Sequence, residues 1–413
     1  MVPNPASASP ARHPSVRSAP AGPARHPSVR SAPTAPGAGA TAQRRDEQPG
    51  AGVTPALFTQ MSLRELKVRN RIWLAPMCQY SVEAKDGIPT DWHLMHLGAR
   101  AAGGFGLLIT EATAVCPQGR ISPQDTGLWN DDQMHSWSRI VSFCQAQGAK
   151  VAVQLAHAGR KASTWPSLPP YAGRHGTIPE LAGGWRTVGP TDEPFPGLDP
   201  PEVLDRAGIT ALIDDFVTAA RRAEQAGFDA VELHFAHGYL VHEFLSPLVN
   251  TRSDEYGGDD AGRRRLALEI AEAVRQVWPA HKPLIVRISA TDWIDGGWHT
   301  RQSIELACAL SRIGVDALHV STGGAVIADI AVKAEYQVGF ARSIREATDI
   351  PVAAVGLITD PHGAQQILER GDADAVALGR VAMREPAWPQ RAAHELGVRD
   401  GSLYPGPYRR GSW

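Results

Sequence analysis

From Leu57 onward the chain alternates between short β-branched or apolar runs and longer stretches of helical period. The runs are IWLAPM (72–77), GLLITEA (106–112), KVAVQLAH (150–157), AVELHFAH (230–237), LIVRISA (284–290), ALHVSTGG (317–324), VAAVGLI (352–358) and AVALGR (375–380). Between them, ITALIDDFVTAARRAEQAGF (209–228) and RRRLALEIAEAVRQVW (263–278) place apolar residues every three or four positions, and several such stretches run into a glycine suited to a helix C-terminus. Eight strands, each followed by a helix, predict an α/β fold of the (β/α)8 TIM-barrel type, forming one domain over residues 54–413. A doubly wound open sheet is the alternative, but it usually carries a glycine fingerprint after its first strand, and APMCQY is not one.

Residues 1–53 differ from the rest. Pro, Ala, Gly, Ser and Arg dominate there, and PARHPSVRSAP occurs twice, at Pro10 to Pro20 and Pro23 to Pro33. Such a segment has too little apolar surface to offset its ordering entropy, so the reading is a disordered, functionless tail. Its prolines and its lack of an apolar core argue against a helical or secretory leader. One further stretch breaks the rhythm: the Pro/Gly/Trp-rich connection from His157 to about Gly208, which carries Trp165, Tyr171 and Trp185. A loop this long without regular structure is usually functional, and on a barrel it lies over the active-site face, so a pocket wall or lid is expected.

Charge is balanced, with 41 Lys+Arg against 43 Asp+Glu, and gives no reason to expect nucleic acid or an anionic membrane as partner. Cys78, Cys116, Cys144 and Cys308 are widely spaced, which suits a reducing cytoplasm better than a disulfide scaffold or a metal cluster. No apolar run approaches the roughly 20 residues of a membrane span.

Side chains alternate across a strand, so a polar residue between two apolar neighbours faces into the barrel. Gln154, His234 and Arg287 do so near the C-terminal ends of their strands, where barrel enzymes do their chemistry. A buried arginine needs an anionic partner. Glu232, inward on the neighbouring strand, is one candidate; an anionic ligand is the other. At the ends of strands seven and eight, Gly356, Gly379 and Arg380 form a phosphate-site pattern: glycines let backbone amides approach, and arginine offers a bidentate cation. Gly323 and Gly324 on strand six are read with them. A planar heterocycle bearing a phosphate fits such a mouth, with Arg287 stabilising negative charge on its ring. The segment HFAHGYLVHEFLSP (234–247) adds His234, His237, Tyr239, His242 and Glu243. A metal-dependent hydrolase using His234, His237 and His242 is one alternative, although such sites usually draw ligands from several strands. A non-catalytic binding barrel is another, which leaves the inward polar residues unexplained.

APMCQY, QLAHAGRK (154–161), HFAHGYLVHEFLSPLVNTRSDEYGG (234–258), VRISA and ALGR fall in order, one to a strand. With them the chain resembles the old yellow enzymes, FMN-dependent ene-reductases, and within these the bacterial class of thermophilic-like and xenobiotic reductases, over about Leu57 to Trp413. The resemblance implies noncovalent FMN, with Ala75, Pro76, Met77 and Cys78 on the first strand backing the ring and Ala112 near it. It places Gln154 and Arg287 at the pyrimidine edge, and Gly356, Gly379 and Arg380 on the phosphate. NADPH or NADH is the implied reductant. His234 and His237 would bind the oxygen of an α,β-unsaturated carbonyl or nitro substrate, and Tyr239 would protonate its α-carbon. Cys78 would modulate the flavin, and Tyr80 would contact substrate. Arg410, in the terminal YRRGSW, would reach the neighbouring subunit's site in a homodimer or homotetramer. The chain departs from the family pattern at Phe235, where a small residue is usual, at Ala261 and Gly262, which leave only Arg263 of a Glu-Asn-Arg run, and at an inserted Ser412. His242 and Glu243 are then read as structural residues of the following turn.

Overall fold

The computed structural model describes residues 54–413. The predicted tail lies outside the described residues. Among the described residues, eight parallel strands close into a barrel in sequence order: β1 (Ile72–Leu74), β2 (Leu107–Ala114), β3 (Lys150–Ala156), β4 (Ala230–Phe235), β5 (Leu284–Ser289), β6 (Ala317–Ser321), β7 (Val352–Ala354) and β8 (Ala375–Leu378). Each of the eight runs read as a strand supplies one. The runs extend past the strands, however, because the last residues of each peel away into the loops of the C-terminal mouth. Ala75, Pro76, Met77 and Cys78 therefore lie in the loop leaving β1 and not on the strand itself.

The strand alternation sorts side chains into two compartments. Ile72, Leu74, Val151, Val153, Leu155, Val231, Leu233, Phe235, Val286 and Ile288 face the helices in the larger core. Trp73, Leu107, Ile109, Ala152, Ala230, Ile285, Ala317, Ala353 and Ala375 fill the barrel's lower interior. A few bulky side chains, Trp73, Leu107, Ile109 and Ile285, set against many alanines fill a closed eight-strand interior. An antiparallel hairpin, Met61–Leu63 with Leu66–Val68, packs Met61, Leu63 and Val68 against this inner cluster. It closes the end of the barrel opposite the mouth.

Helices surround the strands, and their starts follow local sequence. Asn130, Asp205, Asp259 and Asp360 accept backbone N–H bonds from Gln133, Gly208, Gly262 and Gly363, satisfying first-turn donors that a helix leaves unpaired. Phe235 is fully buried on the helix side of β4, as alternation requires. The connection after β3 is not structureless: it contains two short 3₁₀ turns and a two-stranded parallel pair, Val188–Gly189 with Glu202–Val203. Among the described residues, no helix is long and apolar enough to cross a membrane.

Candidate active site

Above the apolar interior, the inward positions become polar. Gln154 and Glu232 are opposite one another on β3 and β4, and Gln154 Nε2 donates to Glu232 Oε1 at 2.7 Å. The other oxygen of Glu232 meets His319 Nδ1, on β6, at 2.9 Å. Glu232 is thus engaged by Gln154 and His319 and is not the hydrogen-bonded partner of Arg287. Arg287 lies between His234 and His319 in the strand register, is buried, and has an unpartnered Nε. Burial lowers its pKa from the ordinary arginine value, with Glu232 opposing. A buried guanidinium left in this state is costly unless an anion or a hydrogen-bond acceptor meets it.

Arg287 opens on a cavity of about 260 Å³ lined also by Ser321, Gln337, Gly356, Gly379 and Arg380. Gly356 has φ +125°, and an added Cβ would lie 2.8 Å from Gln337 Nε2, so both conformation and space require glycine. Gly379 begins the short helix Arg380–Arg384, and the Arg380 side chain is exposed at the cavity. Gly323 and Gly324 do not line this cavity. Gly324 instead packs against the turn after β4, where an added Cβ would come 2.5 Å from His237 carbonyl carbon. The structure gives both another reason to be glycine: at Gly324 two loop backbones meet, and Gly323 has a left-handed conformation, φ +71°.

On the cavity's other flank the β2–β3 register slips between Ile109 and Ala112. The slip brings Ala112 opposite Gln154 and frees Glu111 to accept the Gln79 N–H at 3.0 Å and to meet His93 Nε2 at 3.0 Å. Ala112 belongs to a small buried cluster with Ile121 and Ala156, against which Cys78, Tyr80, Trp185 and Tyr239 pack. Trp185 therefore does wall this cluster, whereas Trp165 stacks on Tyr171 with ring centroids 5.7 Å apart, and Tyr171 and Tyr80 line a separate surface hollow. Burial, reinforced by Asp125 and Glu111, pushes the Cys78 thiol well above its ordinary pKa, so it is protonated. Burial also raises the Tyr80 and Tyr239 phenols.

The end of β4 is held from several sides. The strand stops at Phe235, and His237 and Gly238 both adopt left-handed conformations, φ +62° and +68°. For a histidine this conformation is unfavourable and persists only where the surroundings impose it. His237 N–H donates to Ser289 Oγ at 2.9 Å, and Ser289 Oγ donates to Gly323 O at 2.8 Å. Lys161 Nζ donates to His237 O at 2.8 Å and to Gly324 O at 3.0 Å. The turn swings the His237 ring to within 5.1 Å of the His234 ring, at 78°, and His237 Nδ1 lies 3.4 Å from His234 Nε2. The Tyr239 ring is 5.2 Å from that of His234. Burial, with Arg287 next in importance, holds both imidazoles well below their ordinary pKa, so each is neutral.

His242 is not part of this group. Its Nδ1 accepts the Gly238 N–H at 2.8 Å and its Nε2 faces Asp292 Oδ1 at 3.2 Å, fully buried. Glu243 Oε1 accepts the Arg160 N–H at 2.9 Å. Both are structural residues, on a short helix (Leu240–Leu245) instead of a turn. Arg410 is exposed in the C-terminal 3₁₀ segment and lines none of these walls within its own chain. Sequence reading passed over Lys161, Ser289, Ser321 and His319. The alternation that marked Arg287 also marks His319 and Ser321, two and four residues after inward Ala317.

A family described as NADH:flavin oxidoreductase / NADH oxidase matches residues 56–398. The chain belongs to this family, the old yellow enzymes. Among its relatives, an NADPH dehydrogenase of Geobacillus thermodenitrificans (strain NG80-2) is 43% identical over 356 residues, 86% of this chain and 98% of that one. An NADPH dehydrogenase of Bacillus subtilis (strain 168) is 41% identical over the same shares. In structure, an old yellow enzyme homologue from Zymomonas mobilis aligns with TM-score 0.70 and 28% identity over 85% of this chain and 97% of that one. Morphinone reductase in complex with tetrahydroNAD aligns with TM-score 0.69 and 28% identity, over 85% and 95%. This old yellow enzyme is an FMN-dependent oxidoreductase with NAD(P)H as reductant. An unpartnered buried Arg287 and a glycine-walled cavity with Arg380 at its edge suit a ring that carries negative charge and a phosphate.

Proposed function

We propose that this enzyme reduces the activated C=C bond of α,β-unsaturated carbonyl or nitro compounds. The observation that carries the reading is the convergence of His234 Nε2 and His237 Nδ1, 3.4 Å apart, beside the Arg287 cavity. An oxygen about 2.9 Å from each nitrogen completes a triangle with them. Two neutral imidazoles donating to that oxygen draw electron density from the conjugated system and leave the β-carbon electron-poor. When bound and reduced by NADPH or NADH, FMN would supply the hydride for that carbon.

Tyr239 gives its phenolic proton to the α-carbon; burial keeps that phenol protonated, as a general acid requires. Gln154 and Arg287 would hold the pyrimidine edge of the ring and Gly356, Gly379 and Arg380 the phosphate. Ala75, Pro76, Met77, Cys78 and Ala112 would back the ring, with the Cys78 thiol modulating its redox behaviour and Tyr80 touching substrate. In the same reading the protein is a cytoplasmic homodimer or homotetramer, and the exposed Arg410 enters the neighbouring subunit's site.

Replacing His234 and His237 together with Ala tests the assignment. The variant is expected to retain FMN, while enone reduction slows about 10²- to 10³-fold, far more than flavin reduction by NADPH. Equal losses in the two half-reactions, followed separately by stopped-flow absorbance, would contradict the roles given to the histidines.

A further inference from the structure

The two-histidine grip requires a particular distribution of protons, and the structure shows what can impose it. Each ring is neutral and so carries one N–H. For both to donate to one oxygen, the protons must sit on His234 Nε2 and His237 Nδ1, the nitrogens that converge. His237 Nε2 must then be bare, and a bare ring nitrogen can only accept. The hydroxyl of Ser321, at the mouth end of β6, lies 2.8 Å from it.

A serine hydroxyl has one proton, and Ser321 Oγ has a second neighbour, Gln337 Oε1, at 3.3 Å. The amide of Gln337 is oriented by its far side: Nε2 donates to Val355 O at 3.1 Å, so Oε1 faces Ser321 and Thr322. Thr322 Oγ1 already donates to that oxygen at 2.7 Å. The shorter, unshared acceptor is His237 Nε2. We infer that Ser321 is a positioning residue: by donating its hydroxyl proton to His237 Nε2, it holds the imidazole as the Nδ1–H tautomer that grips the substrate oxygen.

The alternative chain of bonds runs the other way, with His237 Nε2–H donating to Ser321 and Ser321 donating to Gln337. It leaves His237 Nδ1 bare and unable to donate to substrate, so at most the His234 Nε2–H remains for that oxygen. The hydroxyl of Ser321 thus decides whether the pair presents two donors or one. Ser321 and Gln337 also line the Arg287 cavity.

The inference rests on the proposed role of the histidines in gripping substrate, and the test separates the two. In holoenzyme labelled with 15N-histidine, the His237 resonances, assigned by their loss in His237→Asn, are expected to show a protonated Nδ1 and a bare Nε2. Ser321→Ala is expected to lose that tautomer preference and to lower kcat/KM for a cyclic enone about tenfold or more, and Ser321→Thr to restore both. A native enzyme protonated at Nε2, or a Ser321→Ala enzyme that keeps the Nδ1–H tautomer, overturns the role of Ser321. A Ser321→Ala enzyme whose tautomer changes while enone reduction stays at the native rate supports the role of Ser321 and overturns the histidine grip.

Discussion

The two ends of the barrel interior are built from the same strands and obey opposite rules. Below, Trp73, Leu107, Ile109, Ala152, Ala230, Ile285 and Ala317 pack into a dry cluster. Two residues further along each strand, in the same inward phase, Ala152 gives way to Gln154, Ala230 to Glu232, Ile285 to Arg287 and Ala317 to His319. The lower layer stabilises the fold through removal of apolar surface from water, at about 25 cal/mol per Å². The upper layer costs stability: Arg287 Nε and His234 Nδ1 are buried without partners, and Glu232 is satisfied only by a bond from each side. Folding and chemistry are therefore separated by about 7 Å of strand.

Substitutions at the two levels should differ in kind. Trp73→Ala, in the lower layer, is expected to lower stability by about 3–5 kcal/mol in urea unfolding while leaving the turnover of the remaining folded enzyme unchanged. A stable variant with lost turnover would break the separation. Arg287→Met should show the reverse: FMN affinity, read from quenching of flavin fluorescence, falls about a hundredfold, whereas the apoprotein melts at a higher temperature because an unpaired buried charge has gone. An apoprotein destabilised by that change would mean that Arg287 supports the fold as well as the ligand.

The smallest effect concerns Lys161. Burial lowers its pKa to about 8, against the opposing pull of Glu243. As pH rises through that value the ammonium that fixes His237 O and Gly324 O loses its charge, and kcat/KM for an enone is expected to fall, by less than about tenfold. Stability should not follow. Between about pH 8 and the ordinary lysine range the unfolded chain holds a proton that the folded chain has released, so this group's contribution to stability rises with pH. Lys161→Arg keeps a charge at that position and should carry the activity plateau to higher pH. An unchanged pH–rate profile would show that Lys161 does not hold the turn through its charge.

Much of the site was legible because strand alternation is rigid. The inward phase of Gln154, His234 and Arg287 follows from their apolar neighbours alone, and so does the outward, buried Phe235. The same rule would have marked His319 and Ser321, which are hidden in ALHVS because a lone histidine or serine in an apolar run carries little signal by itself. Where backbone departs from regular strand, pattern gives no guide. The β2 slip that separates Glu111 from Ala112 depends on pairing with β3, and Gly324 looks like part of a phosphate loop until the turn at His237 is seen against it.

Period and order along the chain determined the barrel, the inward phase of each strand and the family resemblance, since these depend only on which residues neighbour one another in sequence. Tertiary structure decided who pairs with whom. Glu232 goes to Gln154 and His319 and leaves Arg287 for a ligand; Lys161, Ser289 and Ser321 converge on His237 from three different elements. Such contacts join residues up to 84 positions apart, here His237 and Ser321, and only the closure of the barrel brings them to one point.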